Sequence, residues 1–166
     1  FYTLYVLMVT GLLGIVVTGD AFNLYVLLEI AALTGYGMLA MGHKDRAPLA
    51  TLNYLYMGTI GACFYLLGVG YLYIVTGSLN MVDIARLLPD LYQSKAVLAA
   101  FIICMIGVWL KMAFFPLHAW LPNAYTFAPS AASSLIAPLV TKVMIYVMIR
   151  LILTVFTPAF AFETIA

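Results

Sequence analysis

The chain has 166 residues, of which 66% are hydrophobic and 8% charged, with a mean hydropathy of +1.13. A soluble globular domain carries roughly 25% charge, so the composition excludes one and requires an integral membrane protein. Seven Lys and Arg against six Asp and Glu give a formal net charge of +1, too little to track a phosphate backbone, which excludes nucleic acid and leaves lipid and neighbouring helices as surroundings.

Every backbone polar group inside a bilayer must be satisfied within the segment, so a helical span needs ~20 apolar residues. Five stretches qualify, at about 1–18, 22–41, 48–76, 96–121 and 130–152, which predicts an all-α, polytopic transmembrane bundle forming a single domain. The first opens on Phe1-Tyr2-Thr3-Leu4 without Met and runs straight into apolar sequence. That predicts neither a signal peptide nor a targeting sequence and reads as an excerpt of a longer chain. Thr18-Gly19-Asp20 then breaks the helix. Asp20 is expected to cap the second span, with a proton entrance as its second reading.

Glu29 lies nine residues beyond Asp20. At 1.5 Å per residue that is ~13.5 Å along the axis, about half of a ~30 Å hydrocarbon core. Tyr25, Leu33 and Tyr36 share its helical face, which predicts a face turned toward protein or water. Small residues, Ala31, Ala32, Gly35 and Gly37 on this span and Gly58, Gly61, Ala62, Gly68 and Gly70 on the next, predict close backbone approach within one packed bundle. Between these two spans, His43, Lys44, Asp45 and Arg46 read as a solvated loop.

After Gly77-Ser78 the sequence becomes amphipathic, with Met81, Ile84, Leu87, Leu88 and Leu91 on one stripe and Asp83, Arg86 and Asp90 opposite. Asn80 with Asp83 forms a capping pattern, so a helix lying at the interface is expected here.

The fourth span carries Lys111 far from either end, where snorkelling is difficult. Pro116 cannot donate to the carbonyl of Met112, so a helix break or bulge is expected between about Lys111 and Pro116. Broken helices in transporters line midplane cavities. A kink used only for packing would account for Pro116 but not for the lysine. His118 is either a proton relay or a capped interfacial residue, and Trp109 and Trp120 read as packing or interfacial anchors.

The fifth span repeats the pattern: Lys142 lies about twelve residues past Ser130, with Pro138 four residues before it and the Ser134 carbonyl released on the same face. Residues 153–166, with Pro158 and Glu163, are too short to span and read as the start of a sixth helix. Cys63 and Cys104 have no Cys-x-x-Cys spacing and read as packing residues. No Gly-rich phosphate loop, Cys cluster or His pair at ligand spacing is present, so neither cofactor nor metal is expected. Lys44 and Arg46 on one side nearly balance Arg86, Lys95 and Arg150 on the other, so charge gives no orientation. A charged group at mid-membrane costs ~2.5–3.5 kcal/mol, which singles out Glu29, Lys111 and Lys142.

Two stretches carry a family likeness. Thr18-Gly19-Asp20-Ala21-Phe22-Asn23-Leu24-Tyr25-Val26-Leu27-Leu28-Glu29 resembles the glutamate-bearing fifth helix of the antiporter-like membrane subunits of respiratory complex I, Mrp-type cation/proton antiporters and membrane-bound hydrogenases, in the form typical of the Mrp D-type subunit. Lys111 through Pro122, then Ala128-Pro129-Ser130 and Leu135 through Lys142, resemble that family's broken seventh and lysine-bearing eighth helices, and Val75 through Met81 extends the likeness. The resemblance implies helices four to eight, one inverted-repeat half of a fourteen-helix subunit, in a bacterial or archaeal cell membrane beside other membrane subunits.

It further implies a half-channel in which Glu29 pairs with Lys111 and Lys111 exchanges protons with Lys142, with Ser134, Thr141 and His118 as bridging groups. Burial and a nearby carboxylate act oppositely on a lysine's proton affinity, so moving Glu29 would load or unload Lys111, at 1.36 kcal/mol per pKa unit. The cargo is protons, with Na⁺ as a second candidate ion. The redox centres of such complexes lie in other subunits. Competing readings are a proton-pumping subunit of an NADH–quinone oxidoreductase or hydrogenase, an inert scaffold, and a subunit with its own quinone site.

Overall fold

Most of the long helices are apolar around their whole circumference, the pattern of segments surrounded by protein and lipid rather than by water on one side. In a computed structural model, which describes residues 1–91 and 94–156, the chain forms α1 (Tyr2–Val17), α2 (Ala21–Ala40), α3 (Ala47–Thr76), α4 (Met81–Leu91), α5 (Lys95–Lys111), α6 (Trp120–Phe127) and α7 (Ser130–Arg150). A π-helical segment, Leu151–Phe156, continues α7. No strand occurs among the described residues. Three helices, Ala21–Ala40, Ala47–Thr76 and Ser130–Phe156, are long and apolar enough to cross a membrane, and Tyr2–Val17 is a shorter apolar helix. Of the expected tail, 153–156 extend the π segment, and Pro158 and Glu163 lie outside the described residues.

Local chemistry sets most boundaries. The Asp20 carboxylate accepts from the Asn23 amide at 2.6 Å and starts α2. Pro at the start of α3 cannot be missed as a donor there, and Gly77, at φ 68°, ends the helix in the left-handed region. Asn80 Oδ1 accepts from Val82 at 2.9 Å and starts α4, whose apolar stripe buries Met81, Ile84 and Leu88. Two backbone bonds clip the α1–α2 turn to the α3–α4 turn: Ala21 N–H donates to Leu79 O at 2.8 Å and Met81 N–H to Gly19 O at 2.9 Å.

α3 is the axis of the packing and touches α2, α4, α5 and α6, while α7 closes the ring against α1, α2 and α5. The closest approach is between α3 and α5. A Cβ on Gly107 would sit 2.6 Å from Gly61 O and 2.6 Å from Tyr65 N, so only glycine admits this backbone contact.

The fourth span breaks differently from the expectation based on Pro116. α5 stops at Lys111, a full turn before the proline, in a Schellman motif: Phe114 N–H donates to Trp109 O at 2.9 Å and Ala113 N–H to Leu110 O at 3.3 Å. Ala113 takes the left-handed position, φ 56°, usually given to glycine. The chain resumes helix only at Trp120, so the interruption covers residues 112–119.

Candidate functional site at the break in the fourth span

Ending α5 at Lys111 leaves this lysine at the centre of the helix ring, 7% exposed, with its carbon chain packed on α3 opposite Gly61. Glu29, from the middle of α2, faces it: Nζ and Oε1 are 3.5 Å apart, with side chains 8% and 22% exposed. Both atoms are buried and neither has a hydrogen-bond partner, so the contact is an ion pair longer than a charge-assisted hydrogen bond. On the face expected to turn toward protein or water, Tyr36 is buried and Leu33 is 60% exposed. Glu29 sits at the edge of the buried stripe formed by Leu28, Ala31 and Ala32.

Lys111 borders an internal cavity of about 20 Å³ lined otherwise mainly by apolar groups, among them Leu12, Ala31, Tyr54, Gly58 and Val140. About 10–15 Å³ suffices for one water. The ring above the lysine is fixed by Trp120, whose indole Nε1 donates to Leu110 O at 3.1 Å and so ties the end of α5 to the start of α6. Tyr54 stacks on Trp120 at 4.6 Å, and Tyr36 meets Tyr54 edge-on at 4.7 Å. Sequence reasoning assigns Trp120 only packing or anchoring; its bond to a carbonyl freed by the break has no local signature.

The remaining candidates lie elsewhere. Val140 and Met144 of α7 line the cavity, and Lys142, between them in sequence, points to the opposite, exposed face. Its Nζ donates to Ala137 O at 3.3 Å. The proposed bridges are not made among the described residues. Ser134 Oγ donates to Ala131 O and Thr141 Oγ1 to Ala137 O, while His118 is exposed against the Phe115 ring at 5.6 Å. No lateral path from Lys111 to Lys142 is formed among the described residues: Val140 and Met144 turn toward the cavity that Lys111 borders, and Lys142 lies on the other face of α7.

The loop read as merely solvated has a structural role, because Lys44 Nζ donates to Thr126 O at 2.6 Å across the gap between the α2–α3 loop and the end of α6. No sequence signal links positions 82 residues apart.

A family model described as "NADH:quinone oxidoreductase/Mrp antiporter, TM" matches residues 18–165. The N subunit of an NADH-quinone oxidoreductase from Desulforudis audaxviator (strain MP104C) is 51% identical over 152 residues, 92% of this chain and 30% of that protein. The D subunit of an Na(+)/H(+) antiporter from Alkalihalophilus pseudofirmus is 32% identical over 156 residues, 94% of this chain and 32% of that protein. Among solved structures, a chain of the membrane-bound sulfane sulfur reductase, described as an archaeal respiratory membrane complex, superposes with a TM-score of 0.84 at 35% identity, covering 89% of this chain and 30% of that one. The sequence thus spans about a third of the length of the relatives it matches.

Proposed function

The chain belongs to the NADH:quinone oxidoreductase/Mrp antiporter transmembrane family, and from that premise we propose that it is a proton-translocating half-channel in a membrane subunit of a multi-subunit monovalent cation/proton antiporter. The observation that carries this reading is the Glu29–Lys111 pair at 3.5 Å, beside a cavity at the break of α5. A charge held in a membrane interior by one movable carboxylate has two states, paired and unpaired, and these differ in proton affinity. A conformational or electrostatic change that moves α2 against α5 then loads or releases the proton. The cargo in this reading is protons, with Na⁺ as a second ion, the setting is a bacterial or archaeal cell membrane, and the partners are other membrane subunits. Lys142, on the outer face of α7, serves here as an exchange point with the rest of the subunit. His118, exposed beside the break, is a relay toward water, and Pro116 and Pro138 shape the helices around these groups.

A second reading, the corresponding half of a proton-pumping subunit in an NADH–quinone oxidoreductase or membrane-bound hydrogenase, is favoured by the higher identity to the oxidoreductase relative. The same side chains would perform the same proton exchange, driven by redox chemistry in other subunits.

The test uses the assembled complex in sealed vesicles. Lys111→Ala is expected to abolish coupled ion transport with assembly intact, and Lys111→Arg to fail as well, since guanidinium keeps its proton at any working pH. Normal flux in the Arg variant would assign a structural cation instead.

A further inference from the structure

Residues 112–119 separate α5 from α6, yet one buried hydrogen bond joins the two helices: the Trp120 indole N–H on Leu110 O at 3.1 Å. Among the described residues no other hydrogen bond runs between them. The helix end alone serves this carbonyl poorly, since Ala113 N–H reaches it only at 3.3 Å, beyond the ordinary range of about 2.7–3.2 Å. Packing does not require an indole there. A phenyl ring would also stack on Tyr54, whose ring lies 4.6 Å from that of Trp120 and nearly parallel to it, so what tryptophan adds is the donor. That donor is held still. Trp120 is 5% exposed, Tyr36 braces Tyr54 edge-on from α2, α6 lies along α3, and Lys44 ties Thr126 O at the far end of α6.

We propose that Trp120 is a positioning residue for Lys111, fixing through the Leu110 carbonyl the place from which the lysine meets Glu29. The inference rests on the proton-translocating function proposed above and gives that site a further residue outside the charged pair. The Leu110 carbonyl and the Lys111 amide belong to one planar peptide unit, whose far corner is the Lys111 Cα. A bond to the carbonyl therefore sets the tilt of the plane from which the side chain leaves. The pair does not fix itself, because Nζ and Oε1 stand 3.5 Å apart, beyond the ~2.7–2.9 Å of a charge-assisted hydrogen bond, and neither atom has a hydrogen-bond partner. Its spacing is inherited from the backbone on each side. On the Glu29 side that backbone is the middle of α2, held by helical bonds in both directions. On the Lys111 side it is the last residue of α5, where the regular helix supplies bonds in one direction only. The lysine stem cannot absorb a tilt by taking another course, since it packs opposite Gly61 and the side chain is 8% exposed. Misplacing a reacting group by about 1 Å costs on the order of 100-fold in rate.

Two measurements on the full-length protein in its assembled complex test this role. In lipid nanodiscs, thermal unfolding of wild type, Glu29→Gln, Lys111→Met and the double variant gives the coupling within the pair, and the same four are then measured with Trp120→Phe in each. The coupling is expected to fall by at least half. A residue that only packs would lower all four stabilities alike, and its loss would cancel in the cycle. In sealed vesicles, proton flux is expected to fall about tenfold in Trp120→Phe, part of the loss that a displacement of about 1 Å brings. Because phenylalanine is also smaller, the deciding variant carries benzothienylalanine at position 120, which keeps the bicyclic shape and puts sulfur in place of the N–H. It should reproduce both losses, and it serves equally if Trp120→Phe does not assemble. Unchanged coupling or wild-type flux in this variant would overturn the positioning role and leave the proposed function standing. Wild-type flux in Lys111→Ala would instead remove that function, and the coupling, which needs no transport, shows separately whether Trp120 places the lysine.

Discussion

Opposite charges 3.5 Å apart attract by about 5 kcal/mol at an effective dielectric near 20. Desolvating both costs several kcal/mol per ion, so Glu29 and Lys111 are close to balance as a pair and costly when separated. Glu29→Gln should accordingly destabilise the protein by about 2–3 kcal/mol, the lower end of what an orphaned buried charge costs, because Glu29 keeps 22% exposure. Glu29→Gln/Lys111→Met should recover most of that loss. Thermal unfolding of wild type, Glu29→Gln, Lys111→Met and the double variant in lipid nanodiscs measures the coupling, and equal stability for wild type and Glu29→Gln would mean that the pair contributes nothing. These two residues were legible in the sequence because a charge at mid-membrane is rare for an energetic reason. Trp120, Tyr54 and Lys44 were not, since aromatic residues and loop lysines are ordinary in membrane proteins and their partners lie far away along the chain.

The break in the fourth span shows how an element can be predicted for the wrong reason. Pro116 pointed to the right region, but α5 has already closed at Lys111 through bonds from Phe114 and Ala113, and alanine gives no warning that it will take φ 56°. That conformation costs an L-residue roughly 1–2 kcal/mol, offset in a glycine variant by about 0.5–1 kcal/mol of extra unfolded-state entropy. Ala113→Gly should therefore be neutral to about 1 kcal/mol stabilising, while Ala113→Val should lower the unfolding temperature. The small residues of α3 were also visible, without the information that their partner is α5. Gly107→Ala places a methyl group 2.6 Å from the α3 backbone and should cost about 1–3 kcal/mol, with reduced flux because Lys111 lies one turn onward. Gly70→Ala, inside α3, meets nothing within 4 Å and should stabilise by up to about 1 kcal/mol with flux unchanged.

At the scale of the whole molecule, the order of the apolar helices and the position of the amphipathic α4 could be read from apolar length and turn chemistry. The direction in which α7 points its lysine could not, because a helix apolar on all sides gives no face to choose from. The ring decides it: Val140 and Met144 turn toward Lys111, and Lys142 is left outside with one bond to Ala137 O at 3.3 Å. A lysine at that depth facing hydrocarbon would cost ~2.5–3.5 kcal/mol on insertion scales. In relatives about three times as long as this chain, further protein is available to cover the face instead. Two consequences separate Lys142 from Lys111. In the full-length protein, Lys142→Cys should form cross-links with the remainder of the subunit and resist a lipid-soluble maleimide, whereas efficient labelling from the lipid would reject a covered face. Lys142→Ala should also slow transport less than Lys111→Ala, since water can partly replace an exposed group that does not border the cavity, and it should leave the Glu29–Lys111 coupling energy unchanged. A changed coupling energy would show that the two lysines communicate across α7, and would restore the lateral link that their opposite orientations remove.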